Sequence, residues 1–501
     1  MRTVVEPHVD AANRLTRRWC EVAGHEDFVV SGAGLWPLLG LLASAARNPA
    51  RMELEAAVGI PADAAHSAAL RLIDTMRYSR HLSAALGVWV KRTLPLNSDW
   101  LSSLPRGTVD LITDQAALDA WAGESTEGLI KEFPLQLTRD TVLVLATALV
   151  ARTSWREVFY ETTMTPASGP WQDKTVPALS RTTGTAWCGT LLEGPSPVTR
   201  IIVEGTGDVD VHLLQGAGTA ADVLTTGLNA LTEGLDVRPA LAVGTNGPGL
   251  TVREEISLQE RDQLHLTLPP FAVRSKHDLC SPTLAALFGL TTARTNGDHF
   301  PGISPAPLSV EQGAQDVLAR FTREGFEAAA VTAISLDVRG MPPPPTEHRI
   351  KVYTATFDRP FGFLAVHRPT GLAIVAGWIA SRPPEPPAPT KHEQRAVQRP
   401  VDFDSHHPRP VPHPGPVPAW PPSPIPAPHP HQQTPRRYPT PPPPPPPLPP
   451  DIPAPPWQRD WAPPAPSPRS PGTPADRQQN PTPQPHRQDP PPPLPSWSQE
   501  P

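Results

Sequence analysis

The 501-residue chain carries 43 Lys and Arg against 49 Asp and Glu, which gives a formal net charge of -6. These charges are scattered, so they give no electrostatic case for binding nucleic acid or an anionic membrane. Composition divides the chain near residue 382, because most of its 73 prolines lie beyond that point and periodic apolar segments stop there. We therefore predict a globular part, 1–381, and a disordered proline-rich tail, 382–501.

Helical and strand patterns alternate in the first hundred residues. Apolar residues at helical spacing predict helices over 11–20 and from Ser31 through 46, with a short buried strand at 28–30 between them. The same patterns predict further helices at 53–58, 65–76 and 97–104 and a buried strand at 86–90. The longest apolar segment, 32–46, is too short to cross a bilayer, so we expect a buried helix there.

A nearly continuous apolar run at 141–151 predicts a strand with both faces covered, in the middle of a sheet. Before it, a helix that carries Trp121 ends at Gly128, a residue type that favours the left-handed turn closing a helix. After it, residues 175–268 alternate short apolar runs with Gly, Pro and Asp turns. This pattern predicts a β-rich region with one helix at 221–231.

The stretch 322–339 separates into two faces by the two-residue period of a β-strand. One face is apolar or small throughout, and consists of Phe326, Ala328, Ala330, Thr332, Ile334, Leu336 and Val338. The stretch ends at Arg339 and Gly340, shortly before four prolines at 342–345 that cannot donate ladder hydrogen bonds. We therefore predict a strand that can bury one face and that ends in an exposed basic residue.

Several motifs, in their order along the chain, resemble the serpin family of protease inhibitors, whose reactive loop inserts as an extra strand into a large sheet. They are Trp155 after the apolar strand, Leu268-Pro269-Pro270-Phe271, Asp278-Leu279, Gly289-Leu290, Pro360-Phe361 and Gly377. The resemblance covers about residues 5–381. It implies the α+β serpin fold, with N-terminal helices, a large central β-sheet, further sheets and an exposed reactive loop.

The resemblance assigns roles to residues around the loop. In the family a protease cleaves the loop, and the cut loop inserts before the acyl-enzyme is hydrolysed. Counting about fifteen residues from the hinge glycine, Gly325, places the cleaved bond between Arg339 and Gly340, and Arg339 would select trypsin-like serine proteases. The implied hinge is Glu324, Gly325, Phe326, Glu327, Ala328, Ala329 and Ala330, and the implied positions where the sheet opens, the shutter and breach, are Ser31, Thr147, Trp155 and Gln315.

Three of these positions differ from the pattern of inhibitory serpins. Phe326 replaces Thr or Ser, Gln315 replaces His, and Thr147 replaces Asn. The bulk of Phe326 at the first inward position is expected to slow insertion, which favours cleavage as a substrate. The alternative function is a non-inhibitory serpin-like binding or scaffold protein. The proline runs at 441–447 and 490–493 then either serve as an interaction segment for a polyproline-recognising partner or form an inert solvated extension.

Enzyme motifs for phosphate, zinc or serine chemistry do not occur in the sequence, so we expect no enzymatic activity. Cys20, Cys188 and Cys280 have no C-x-x-C spacing and are expected to be buried small hydrophobic residues. No metal site and no cofactor are expected, although the tail contains several histidines. The expected partner of a monomeric protein is a serine protease, with a cysteine protease as the alternative.

The first twenty residues carry charged side chains and no apolar run, which predicts a chain without a secretory signal and a cytoplasmic location. Family analogy gives the alternative, the extracellular space.

Overall fold

The computed structural model describes residues 5–79, 81–184, 188–232, 241–326 and 347–384. All of them belong to one structural unit. Helices and strands both occur, and the described helices are α1 (Pro7–Val22), α2 (Gly32–Ala45), α3 (Ala50–Val58), α4 (Ala62–Tyr78), α5 (Ser98–Ser103), α6 (Gln115–Ser125), α7 (Ala220–Thr232) and α8 (Pro282–Leu287). None of the described helices is long and apolar enough to cross a membrane.

Helix α2 is the central helix of the fold, as its apolar sequence predicts. It begins where the Ser31 side chain accepts a hydrogen bond from the Gly34 N–H at 3.1 Å, which satisfies one of the free N–H groups of the first turn. Nearly all of its side chains are buried, including Leu35, Trp36 and Leu39. The helix therefore presents a buried apolar surface to the strands that pack on it.

Two groups of strands pack on this apolar surface of α2 and are separated from one another. A three-stranded sheet has the order β3-β2-β4, with β2 (Leu82–Val90), β3 (Val109–Leu111) and β4 (Leu143–Ala151). A four-stranded sheet has the order β14-β15-β16-β5, with β5 (Thr153–Ser154), β14 (Phe271–Asp278), β15 (Ala314–Phe321) and β16 (Gly325–Phe326). Because β5 follows β4 after Arg152 alone, the two groups meet at one end.

A six-stranded sheet lies next to the place where the two groups of strands meet. Its order is β1-β19-β18-β10-β9-β8, with β1 (Phe28–Val30), β8 (Gly189–Leu192), β9 (Val198–Val203), β10 (Val209–Gly216), β18 (Phe361–His367) and β19 (Leu372–Ile379). Strands β1, β9, β18 and β19 are buried along their whole length. Burial of this kind is typical of the slowly exchanging core of a fold.

A second six-stranded sheet contains the chain from His348 onward. Its order is β11-β12-β17-β13-β7-β6, with β6 (Tyr160–Met164), β7 (Val176–Thr183), β11 (Asn246–Gly247), β12 (Leu250–Ser257), β13 (Gln263–Leu268) and β17 (His348–Thr356). Strand β17 pairs with β12 on one side and with β13 on the other. The segment that follows residue 346 is therefore held between two strands.

Most elements agree with the sequence predictions within a few residues. The three cysteines are buried, as expected. One prediction is wrong: the apolar run at 141–151 does form strand β4, but this strand pairs with β2 along one edge, and no other described strand pairs with its opposite edge.

Candidate functional site

A groove, called the slot below, separates strand β4 from strand β15. Strand β4 pairs with β2, and strand β15 pairs with β14, so their other edges face each other across the groove. Within the described residues, no strand pairs with β4 on this edge, and β15 pairs there at Phe321 alone, with Phe326. The slot encloses about 1110 Å³ of space that is partly open to solvent, and its lining is mainly apolar: Leu35, Leu38, Trp121, Ile130, Phe133, Leu145, Leu149 and Val317. Backbone N–H and C=O groups along such facing edges can pair with an additional strand.

The two faces of β4 show what would cover a strand placed in the slot. Val144 and Ala146 pack in a small apolar cluster with Leu118 and Ala122 of α6. Leu145 and Leu149 pack instead against the main core, on the side of α2. An additional strand would thus have α2 beneath one face and α6 above the other, an environment that accepts small or apolar side chains on both.

The hinge predicted at Gly325 and Phe326 already occupies one end of the slot. Phe326 pairs with Phe321 of β15 on one side and with Thr153 of β5 on the other, while Gly325 pairs with Ser154. The Phe326 ring is only 2% exposed and lies 6.4 Å from the Phe363 ring. The expectation that its bulk slows insertion assumed a ring outside the sheet, whereas here the ring has already entered it.

Trp155 holds the turn that leads into this hinge. Its indole N–H donates to the Thr322 carbonyl at 2.9 Å, and its backbone N–H donates to the Glu324 carbonyl at 2.9 Å. The ring stacks at a tilt against Phe321, with 4.6 Å between centroids, and packs edge-on against Phe159. The resemblance assigns Trp155 to the point where the loop enters the sheet, and in the structure Trp155 contacts the residues directly before Gly325.

Gln315 and Thr147 face each other from opposite edges of the slot, and both bind the first turn of α2. The Gln315 amide donates to the Ser31 carbonyl at 2.9 Å and accepts from the Ser31 N–H at 3.1 Å. The Thr147 hydroxyl donates to the Gly34 carbonyl. Ser31 Oγ donates in turn to the Ile374 carbonyl at 2.7 Å, which ties the helix start to strand β19. The three residues predicted for the shutter are therefore brought together.

His277 is a neighbour of this group that sequence reasoning did not single out. It pairs with Gln315 across strands β14 and β15, and its Nε2 lies 2.8 Å from the Val29 carbonyl. Burial lowers the pKa of His277 below its ordinary value of 6.5, against the opposing effects of the Val29 carbonyl and Asp316. The only sequence signal was its place before Asp278-Leu279, which does not reveal that the ring points at β1.

The remaining predicted site residues lie outside the described residues: Glu327, Ala328, Ala329, Ala330, Arg339 and Gly340. Their roles stay predictions. Within the described ranges, no group of His, Cys, Asp and Glu side chains is arranged to hold a metal ion.

Comparisons with known proteins agree with this arrangement. A sequence model of the family described as "Serpin (serine protease inhibitor)" matches residues 8–179 and 248–381, more than half of the chain. A curated relative, the putative serpin-Z12 of Oryza sativa subsp. japonica, is 29% identical over 165 residues. That match covers 30% of this chain and 39% of the relative, so it spans well under two thirds of the relative's length.

Solved structures of serpins show the same fold. A cleaved Serpin 42Da has a TM-score of 0.55 and 15% identity, with 75% of this chain and 100% of that chain covered. Thyroxine-binding globulin in complex with thyroxine has a TM-score of 0.54 and 14% identity, with 75% and 98% covered. Native protease nexin-1 with heparin has a TM-score of 0.54 and 16% identity, with the same coverage. The chain belongs to the serpin family.

Proposed function

We propose that this serpin inhibits trypsin-like serine proteases by cleavage of its reactive loop between Arg339 and Gly340, followed by insertion of residues 327–338 into the slot. The observation that carries the proposal is the hinge: Gly325 and Phe326 are already paired with strands on both sides of the slot. Insertion then extends an existing strand, so the first strand pairs do not have to form anew.

The register of this hinge supports the proposal. Phe326 pairs with Thr153 and with Phe321, and both pairings are antiparallel. If the same register continues down the slot, Thr332 lies between Thr147 and Gln315. Directly paired residues point to the same side of a sheet, so Thr332 would face α2 as Thr147 does. The apolar or small face of 326–338 would thus be buried over the core.

The chain after the loop also fits the proposal. Insertion drags the segment before the cut, whereas the segment after it must stay behind. Strand β17 is held by eight paired residues of β12, from Leu250 opposite Ala355 to Ser257 opposite His348. It is also paired in parallel with β13. The two ends of a cut loop would therefore part, with only the end attached to Gly325 free to move.

The proposal is tested by incubating the protein with a trypsin-like protease and separating the products by denaturing electrophoresis. We expect a covalent complex that survives denaturation, together with some cleaved chain. The variant Arg339→Ala should lose the complex with this protease, because the specificity pocket for a basic side chain is then left empty. Only a product cut after Arg339, without any complex, would contradict an inhibitory function.

One observation favours the second candidate, a non-inhibitory binding protein whose loop does not insert. The Phe326 ring is packed among aromatic side chains at 2% exposure, which would also suit a fixed edge strand. In that case the protein acts through its surface or through its proline-rich tail. The stability of the cleaved chain distinguishes the two candidates, because only an inserted strand adds backbone pairing and buried surface.

A further inference from the structure

A partly buried ion pair lies outside the slot, close to the strand that pairs with the hinge. Arg368, in the turn after β18, donates from Nε to Asp210 Oδ2 at 2.7 Å and from Nη2 to Asp210 Oδ1. The Asp210 side chain is 6% exposed, and that of Arg368 is 31% exposed. The hydrogen bonds that Arg368 donates to Asp210 raise the pKa of Arg368 above its ordinary value, so the guanidinium stays charged.

This pair holds the backbone of a single residue, Gly205, at both its N–H and its C=O. The Gly205 N–H donates to Asp210 Oδ1 at 3.0 Å, and the Gly205 carbonyl accepts from Arg368 Nη2 at 3.2 Å. Gly205 is also pressed against β5, since a Cβ at this position would lie 2.0 Å from Thr153 Oγ1. No side chain fits there, and the backbone of Gly205 is fixed against Thr153.

Gly205 and its neighbour Thr206 bind residues 153–155, the segment that pairs with the hinge. Gly205 forms an antiparallel bridge with Trp155, and the neighbouring Thr206 N–H donates to the Ser154 carbonyl at 2.8 Å. The other edge of the same segment pairs with Gly325 and Phe326. Residues 153–155 are therefore clamped between the Gly205 turn and the hinge.

The contacts form a continuous path from the six-stranded sheet that contains β10 and β18 to the hinge. Asp210 lies on β10, and Arg368 directly follows β18, which pairs with β10. The ion pair is hydrogen-bonded to Gly205, the Gly205–Thr206 turn is hydrogen-bonded to residues 154–155, and β5 is hydrogen-bonded to β16, so every step is a direct contact. We propose that Arg368 and Asp210 are positioning residues that fix β5 as the template on which the hinge is paired.

This proposal has a part that is independent of inhibition and a part that rests on the proposed function. The independent part is that the ion pair keeps Gly325 and Phe326 paired in the uncut protein. The dependent part is that a loosened template slows insertion relative to hydrolysis, so more loop is cleaved without trapping the protease. The two parts need different measurements.

Hydrogen–deuterium exchange of the full chain tests the independent part. Arg368→Lys replaces the planar fork with a single ammonium group that cannot bind Asp210 and the Gly205 carbonyl in the same way. Asp210→Asn keeps the shape and an oxygen for the Gly205 N–H but removes the charge. In both variants we expect the peptide containing Gly325 and Phe326 to exchange at least tenfold faster, with exchange in β14 unchanged.

A matched control is Arg47→Lys, because Arg47 pairs with Asp298 at 3.1 Å and this pair does not contact β5 or β16. Its hinge should exchange as in the wild type. Hinge exchange within twofold of wild type in both Arg368→Lys and Asp210→Asn would overturn the proposal. So would equal acceleration throughout β14 and the hinge, since that pattern means general loosening of the fold.

The stoichiometry of inhibition tests the dependent part. We expect Arg368→Lys to consume severalfold more protein per protease molecule trapped, whereas Arg47→Lys behaves as the wild type. If the wild type forms no covalent complex at all, the inhibitory function fails, while the exchange result still decides the positioning role. An unchanged stoichiometry in a variant with a loosened hinge would overturn the link between positioning and insertion.

Discussion

The side-chain amide of Gln315 both donates to and accepts from the backbone of Ser31, at 2.9 and 3.1 Å. These two hydrogen bonds fix one edge of the slot to the start of helix α2. The opposite edge is fixed to the same helical turn by Thr147 and the Gly34 carbonyl. Gln315 and Thr147 thus each join one edge of the slot to the start of α2.

Gln315→Ala should destabilise the uncut protein, because Ser31 then loses two partners in a partly buried place. We expect a loss of about 1–3 kcal/mol in the free energy of unfolding, measured by urea titration. The control is Gln312→Ala, because the Gln312 side-chain amide donates to the exposed Gln136 carbonyl at 3.1 Å. That variant should stay within about 0.5 kcal/mol of wild type. Equal losses in both variants would argue against the role of Gln315.

The register of the hinge predicts which loop residue must fit over the centre of the slot. Thr332→Asp should place a carboxylate over α2 once the loop has inserted, where none of the described residues lining the slot is a Lys or an Arg. We expect this variant to be cleaved by the protease but to lose the covalent complex. Thr332→Ser is the control, because it keeps a small hydroxyl side chain at the same position. A covalent complex of wild-type yield in Thr332→Asp would contradict this register.

Stability should fall in mild acid, because buried histidines are kept neutral. Burial lowers the pKa of His277 and lowers that of His212 well below 6.5, so at lower pH the unfolded chain binds more protons than the folded one. The stabilisation is therefore present above about pH 6.5 and is lost progressively below it. Thermal unfolding between pH 7.5 and 5 should show this loss.

The variant His277→Gln isolates the contribution of one ring. An amide can still donate to the Val29 carbonyl but does not titrate, so the fall in unfolding temperature between pH 7.5 and 5 should be smaller than in wild type. An unchanged pH dependence would mean that His277 carries little of it. The exposed His25 provides a control, since His25→Gln should leave the dependence as it is.

Local patterns were enough to predict the elements of the slot but not its form. The helix after Ser31, the strand ending at Ala151 and the hinge at Gly325 follow from periodicity, caps and family motifs. That no described strand pairs with the second edge of β4 depends on where β15 lies, and the two strands are more than 150 residues apart in the chain. Periodicity reports how a strand is buried, not which strand it pairs with.

The ion pair behind the hinge was beyond sequence reasoning for the same reason. Asp210 and Arg368 are separated by 158 residues, and each looks like an ordinary charged residue at the end of an apolar run. His277 and Gln315 likewise become neighbours only through the pairing of β14 with β15. Contacts of this kind are set by the tertiary fold, and the sequence carries no local sign of them.

The thermal stability of the cut protein tests the central claim, that the slot receives the loop, most directly. The chain is cleaved after Arg339 by a catalytic amount of trypsin-like protease, and its unfolding temperature is compared with that of the intact chain. A new central strand adds backbone pairing and buried apolar surface on the order of 5–10 kcal/mol, so we expect a rise of roughly 10 °C or more. An unchanged or lower unfolding temperature after complete cleavage would contradict insertion.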